Sequence, residues 1–435
     1  MSSPTLSMNS MLQILRDVAP LDRAVCSLGY DKAVDYFCEL LPFRVIAIPS
    51  SQEHNGWVIP PSWDVDEARI AKDGKTVYDG AAHPLGVIGL SKSFSGTVGL
   101  EELRQHLHYD HRNDDWIPFH YRQQFRSWSR DWGFCLPKRV YDQLIPGNYE
   151  VVIRTRETPG TLKILEYKHR GALDYTIVLG GNLDHAGVAN DGVSGCVVGL
   201  EVMRRLRERK TKLTYALVLS PGIIGSEFYL AGLSPSERSL LLEGVFLEML
   251  GSSTQLALQE SRRGMVSLSH ALKHSLEHMG LSFRLGQFES IIVNDEYIWE
   301  NYGVPMLSFS RFPYPEYHSD QDNISIISET SLNEAADALM GAVDWLEASP
   351  VVVKKFAGNI CLSNPRYDLY VDYGQIALGD NHSEERRRMR CLMDFVPALD
   401  RPVSVKAVAD HVGLSEAVTI EYLQRWASKG LVELL

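Results

Sequence analysis

The chain has 435 residues, 45% of them hydrophobic and 23% charged, which excludes a disordered or collagen-like chain and a lone small module and points to two or three domains. Its formal net charge of −12 has the wrong sign for tracking a phosphate backbone or an anionic membrane, so neither nucleic acid nor a membrane is the expected partner. No apolar run approaches the roughly 20 residues of a membrane span, and Met1-Ser2-Ser3-Pro4 lacks the basic and apolar stretches of an export signal. The six cysteines, Cys26, Cys38, Cys135, Cys196, Cys361 and Cys391, are scattered singly without C-x-x-C spacing. They read as small buried apolar groups in a cytoplasmic protein.

Within residues 1–48, apolar positions at helical spacing (Met11, Leu12, Ile14, Leu15, then Ala33, Val34, Phe37, Leu40, Leu41) predict two helices, broken near Pro20 and Gly29. Residues 49–155 change to short β-rich runs between Pro and Gly: 56–61, 77–80, 87–90, 132–135 and 149–153. They predict a small inserted β domain whose thin core is filled by Trp57, Trp63, Trp116, Trp128 and Trp132. His106, His108 and His111 read as its solvated surface. Over 156–354 strands alternate with helices. Strands are predicted at 174–180, 213–219, 290–293 and 306–310, a helix at 195–207, and further helices between and after the last strands. This pattern predicts an α/β domain, a sheet between helices with ligands at the carboxyl ends of its strands. His270, His274 and His278 fall at i, i+4 and i+8 of one predicted helix and read as its face. Residues 355–383 read as a linker, and 384–435 as a helix–turn–helix followed by a β wing, a winged-helix pattern. Its second helix offers Glu416 and Glu421 beside Arg425, poor chemistry for a major groove, so protein contact or homo-oligomerisation is its expected role.

Three stretches concentrate chemistry. The loop 181–195 sets Asp184, His185 and Asp191 in a glycine-rich segment between a strand and a helix. A carboxylate and an imidazole there suit zinc, while Asn190 and Asp191 as simple helix caps are the competing explanation. Tyr317-His318-Ser319-Asp320-Gln321-Asp322-Asn323 follows the strand 306–310 and Arg311, and Asn294-Asp295-Glu296 closes the strand predicted at 290–293. Three such loops should converge on one rim of the sheet.

Ala189-Asn190-Asp191 with Ser194-Gly195 resembles the A-N-D-x-x-S-G loop of the co-catalytic zinc aminopeptidases related to glutamate carboxypeptidase. More closely, nearly the whole chain resembles a bacterial aminopeptidase-like family that carries domains of unknown function. The resemblance rests on Asp184-His185-Ala186, on Pro221-Gly222-Ile223-Ile224-Gly225-Ser226, on Asn294-Asp295-Glu296, and on Tyr317-His318 with Asp322-Asn323. Trp57–Trp63 and Trp132–Cys135 match that family's β domain. The resemblance implies a zinc-aminopeptidase-like mixed sheet between helices. It also implies one or two zinc ions, with Asp191 bridging and His185 and His318 on opposite sides.

Glu248 resembles the position of a further ligand, with a helix-surface glutamate as its equal competitor. The wider class pairs two glutamates where this chain reads Ser220-Pro221-Gly222, and Asn182 stands where its first histidine would be. Glu296, ahead of Glu227, is therefore the expected general base, and Asp295, Arg311 and Tyr317 the expected substrate contacts. A structural ion pair is the equal alternative for Arg311. The implied activity is hydrolysis of an amide in a peptide or aminoacylated small molecule; the alternative is a scaffold that keeps the fold without turnover.

Overall fold

The computed structural model describes residues 9–372 and 384–435. The two predicted N-terminal helices form at Met11–Val18 and Leu28–Leu40, each opened by a serine whose hydroxyl accepts a backbone N–H three residues on: Ser10 from Gln13 at 3.2 Å and Ser27 from Tyr30 at 3.0 Å. They pack Ile14, Leu15, Val34 and Phe37 on one face of an eight-stranded mixed sheet. Across that sheet the strands run Arg44–Pro49, Thr161–His169, Thr214–Ser220, Thr176–Asn182, Leu241–Leu247, Met306–Ser310, Leu256–Gln259 and Phe283–Gly286. The four central strands, from Thr214–Ser220 to Met306–Ser310, are mutually parallel. They are buried along their whole length, as strands covered by helices on both faces must be.

The β domain is an insertion in a hairpin. Arg44–Pro49 pairs antiparallel with Thr161–His169, from Arg44 opposite Glu166 to Pro49 opposite Thr161. The intervening chain returns to its starting point and folds a four-stranded sheet in the order Lys75–Asp79, Ser62–Lys72, Asn148–Thr158, Phe94–Gly99. Its core holds Trp63 and Trp132 with Ile70, Phe134 and Tyr149, whereas Trp128 is 68% exposed and fills nothing. His106 and His108 are half-buried rather than solvated: His106 stacks on Trp132 at 3.8 Å, and His108 lies 4.4 Å from the His120 ring.

The largest correction concerns 241–301. No strand forms at 290–293; that segment is a loop leading into the short helix Glu296–Asn301. Three strands missing from the expectation form here, Leu241–Leu247, Leu256–Gln259 and Phe283–Gly286, and the first of them is central in the sheet. Glu243 and Gly244 disguise it. Glu243 is buried because its carboxylate accepts the Ser267 and Leu268 N–H groups at 2.8 and 2.9 Å, the open amino end of helix Ser267–His278. That helix carries His270, His274 and His278 as expected. Of the cysteines, Cys26, Cys135 and Cys196 are buried, and Cys361 and Cys391 exposed.

After helix Glu329–Glu347, the strand Val351–Lys354 pairs antiparallel with both Val403–Ser404 and Val432–Leu434, so residues 351–354 complete a small C-terminal sheet. Helices Glu384–Phe395, Val405–Val412 and Glu416–Ser428 accompany it, with Tyr422, Leu423 and Trp426 turned into its core. Within the expected linker, Leu362 and Leu369 join that core, and residues 373–383 lie outside the described residues. No described helix is long and apolar enough to cross a membrane.

Candidate metal centre

From Thr176–Asn182 the chain crosses to one neighbouring strand, Thr214–Ser220, and then to the opposite neighbour, Leu241–Leu247. The carboxyl end of Thr176–Asn182 is therefore a point where strand order reverses, and loops diverging there leave a crevice. Four loops border it, and each contains a non-glycine residue at positive φ: His185 (80°), Ile223 (61°), Met249 (52°) and His318 (56°). Backbone held in this region costs about 1–3 kcal/mol per residue and persists where surrounding bonds enforce it.

Those bonds are visible around Asp191. The buried carboxylate of Asp322 accepts the N–H groups of Asn190 at 2.6 Å and Asp191 at 2.9 Å, and is itself held by the Tyr314 hydroxyl at 2.6 Å. Asn190 Oδ1 accepts the Gly251 N–H at 2.7 Å, while Ser194 Oγ donates to Asn190 O and accepts the Leu250 N–H. Asn190 and Asp191 thus do not cap the helix Gly195–Leu206, whose first residues receive no side-chain cap. Gly195 is fixed by packing, since a Cβ there would sit 1.9 Å from Leu247 O. Behind the loop, fully buried Arg23 donates to the carbonyls of Val18, Ala19, Leu183, His185 and Val188 at 2.6–3.0 Å. Burial pulls its pKa down to about 10, which leaves it charged at neutral pH.

This frame brings His185, Asp191 and His318 together, with one ligand atom of each within 4.8 Å of the others. Asp191 Oδ2 lies 3.0 Å from His318 Nε2 and 3.7 Å from His185 Nε2, yet no donor gives it a well-directed hydrogen bond. A buried carboxylate oxygen left in this way, facing two ring nitrogens, is a donor set that fits a zinc ion. His185 Nδ1 meets Asp184 Oδ1 at 3.2 Å, the carboxylate–histidine arrangement that leaves Nε2 free to coordinate. In the metal-free protein, burial works against a charged His185 but the Asp191 and Asp184 carboxylates outweigh it, raising its pKa to about 10. Asp191 is penalised by burial and held below its ordinary value by His185 and His318. Asp184→Asn, which removes the orienting carboxylate but keeps the bulk, should weaken zinc binding about 10- to 100-fold in a competition titration.

The other residues singled out from the sequence lie around or away from this trio. Glu248 is not on a helix surface: it directly follows the central strand Leu241–Leu247 and is fully buried, accepting from Ser308 Oγ at 3.1 Å and from Asn294 Nδ2. It is not among the three converging ligands. Its pKa is pushed well up by burial and then by the Glu296 charge, and that of Glu296 is raised by burial. Glu296 opens a helix rather than closing a strand, and its Oε2 accepts the Asn294 N–H at 3.1 Å. Asp295 accepts from Ile223 N at 2.8 Å and from Ser226 Oγ, fixing the loop 221–226. Glu227 is held by the Tyr302 hydroxyl at 2.8 Å. Arg311 is spent on Glu334 at 2.6 Å and on Thr254 O at 2.7 Å, the structural ion pair of its two expected roles. Tyr317 stacks on the His318 ring at 3.8 Å and lines the cleft.

What the sequence did not disclose is the opposite wall. Residues 117–119 of the β domain lie antiparallel to 318–320, with Phe119 N donating to His318 O and Asp320 N to Ile117 O, both at 3.0 Å. This puts Phe119 5.2 Å from the His185 ring and 5.4 Å from His318, with Tyr121 5.1 Å from His318. With Phe125 they enclose a narrow cleft of about 90 Å³, room for roughly half a dozen waters. The only sequence signal was the aromatic density of Trp116-Ile117-Pro118-Phe119-His120-Tyr121, which has no periodicity to say where it docks.

Residues 12–349 match the family described as Domain of unknown function (DUF4910). A candidate polysaccharide biosynthesis protein with aminopeptidase-like domain from Clostridium acetobutylicum is 24% identical over 339 residues, 77% of each chain. Among solved structures, a Clostridium acetobutylicum peptidase candidate superposes with a TM-score of 0.74 at 21% identity, over 98% of this chain and 96% of that one. BSAP, a zinc aminopeptidase from Bacillus subtilis, gives 0.58 at 15% identity over 78% of this chain and 95% of its own. The shared architecture is that of the zinc aminopeptidases.

Proposed function

The chain belongs to the DUF4910 family, and from that premise and the geometry of its cleft we propose that it is a metal-dependent hydrolase of an amide bond in a peptide or aminoacylated small molecule. The observation that carries this reading is the orphaned Asp191 Oδ2 facing His185 Nε2 and His318 Nε2 at the carboxyl edge of the sheet. A zinc ion held by these three residues supplies Lewis-acid polarisation of an amide carbonyl and acidifies water. The remaining work falls to the chain itself. Asp184 holds His185 in the tautomer that presents Nε2. Phe119, Tyr121, Phe125 and Tyr317 exclude bulk water and limit the cleft to about one terminal residue. The lining contains no lysine or arginine to pair with a substrate carboxylate, and its aromatic faces favour a substrate end bearing an ammonium group.

Glu296 and Glu227 do not line the cleft, whereas Asp184 does, and in this reading Asp184 also takes the proton released on attack. At saturating zinc, Asp184→Asn should lower kcat by about 10²-fold or more, while Glu296→Gln and Glu227→Gln stay within about tenfold of wild type. The test is hydrolysis of aminoacyl p-nitroanilides and N-acylated amino sugars by zinc-loaded protein, before and after chelation. The sugars are included because of the name borne by the Clostridium relative.

The second reading, a binding protein on the same fold, is favoured by the loop Ser220-Pro221-Gly222. There the group facing Asp184 is the Gly222 N–H, at 2.8 Å, and not a carboxylate. Bound zinc without turnover on any of these substrates would select it.

A further inference from the structure

We propose that the centre holds one metal ion and not a pair, because the neighbouring carboxylates are held by the chain's own N–H and O–H donors and an asparagine pair stands where further ligands to a second ion would be needed. The inference rests on the metal-hydrolase reading and deepens it. Among the described residues only His185, Asp191 and His318 converge as a ligand group, and atoms within 4.8 Å of one another span a single ion. Three other carboxylates of the rim accept hydrogen bonds from the chain itself. Asp184 Oδ1 accepts from Gly222 N at 2.8 Å, Asp322 is filled by three backbone N–H groups and Tyr314, and Asp295 by Ile223 N and Ser226 Oγ.

Glu248 is the decisive case. Its Oε2 accepts from Asn294 Nδ2, so Asn294 must turn its Oδ1 the other way, where it accepts from Asn182 Nδ2 at 3.4 Å. With its Nδ2 on Glu248 and its Oδ1 facing Asn182 Nδ2, Asn294 links the two side chains in one chain of amide contacts. Asn182 is consequently left with Oδ1 unpartnered at 1% exposure, in the lining of the cleft. One neutral carbonyl oxygen in place of a charged or imidazole ligand gives a second cation little to hold. It suits an N–H of the substrate, held beside the single ion.

The experiment uses the full chain, stripped with chelator, titrated with zinc, freed of excess and assayed for metal per chain by elemental analysis. The cobalt-substituted protein is read by its visible absorption. Wild type should saturate at one zinc per chain, and His318→Ala should lose it. Asn294→Asp, which replaces the linking amide by a carboxylate of the same shape, should take up close to two, and Asn182→His likewise. Two zinc ions per chain in wild type would overturn the inference while leaving the hydrolase reading intact. One ion in wild type and still one in both asparagine variants would overturn the asparagine pair as the cause. No zinc in wild type would remove the metal reading itself.

Discussion

His318→Ala should weaken zinc binding more than 100-fold, the largest effect expected of any single substitution at the cleft. Outer residues that merely orient a ligand are worth about 10- to 100-fold, and His318 Nε2, 3.0 Å from Asp191 Oδ2, is one of three converging donors among the described residues. Removing it leaves a carboxylate and one imidazole, too few to retain zinc against water. The pH dependence of wild-type binding should carry the signature of the other imidazole. Zinc needs His185 neutral, and in the metal-free protein its pKa is raised to about 10 by Asp191 and Asp184 against the cost of burial. Binding at neutral pH must therefore displace a proton. Apparent affinity should rise about tenfold per unit between roughly pH 7 and 9 and flatten as pH passes the raised pKa. A titration in buffers of different ionisation heat measures the proton released, and a flat profile would contradict the paired-carboxylate account of His185.

Arg23→Met should destabilise the fold by about 3–5 kcal/mol, the largest stability loss expected outside the hydrophobic core. The side chain fits the volume, but five carbonyls, those of Val18, Ala19, Leu183, His185 and Val188, would lose the donor that a fully buried guanidinium supplies. Each buried acceptor left unmet costs about 1–3 kcal/mol, with partial relaxation expected across a cluster. Arg23→Lys should recover only part of the loss, because one ammonium cannot reach both the helix end at Val18–Ala19 and the loop at 183–188. Denaturant unfolding of the metal-free protein measures the difference. Because the same carbonyls shape the backbone that carries His185 at positive φ, both variants should also bind zinc more weakly than wild type.

The two effects divide what was legible in the sequence from what was not. Local pattern sufficed for the N-terminal helices, for the strands Thr176–Asn182, Thr214–Ser220 and Met306–Ser310, and for the change of texture that marks the β domain. In each of these, burial period and punctuation agree. The motifs around Asp191 and His318 were visible because each gathers carboxylate and imidazole residues within one short segment and resembles a known loop. Three things depended on the tertiary structure. The strand Leu241–Leu247 was hidden because Glu243 is satisfied only by a helix end more than twenty residues later. That strand in turn puts Glu248 in the interior, which removes the helix surface from its two readings.

The aromatic wall of Phe119 and Tyr121 comes from a domain inserted more than sixty residues before His185, and it meets the site only because a hairpin closes under it. Arg23, an arginine in the connection between the two N-terminal helices, carries no mark of burial until the carbonyls of a distant loop are brought around it. Periodicity and motif report which residues face inward and which chemistry is at hand. Partners remote in sequence decide whether a buried charge is met or a carboxylate is free to hold a metal, since hydrogen bonding and desolvation depend on what is near in space and not on what is near in the chain.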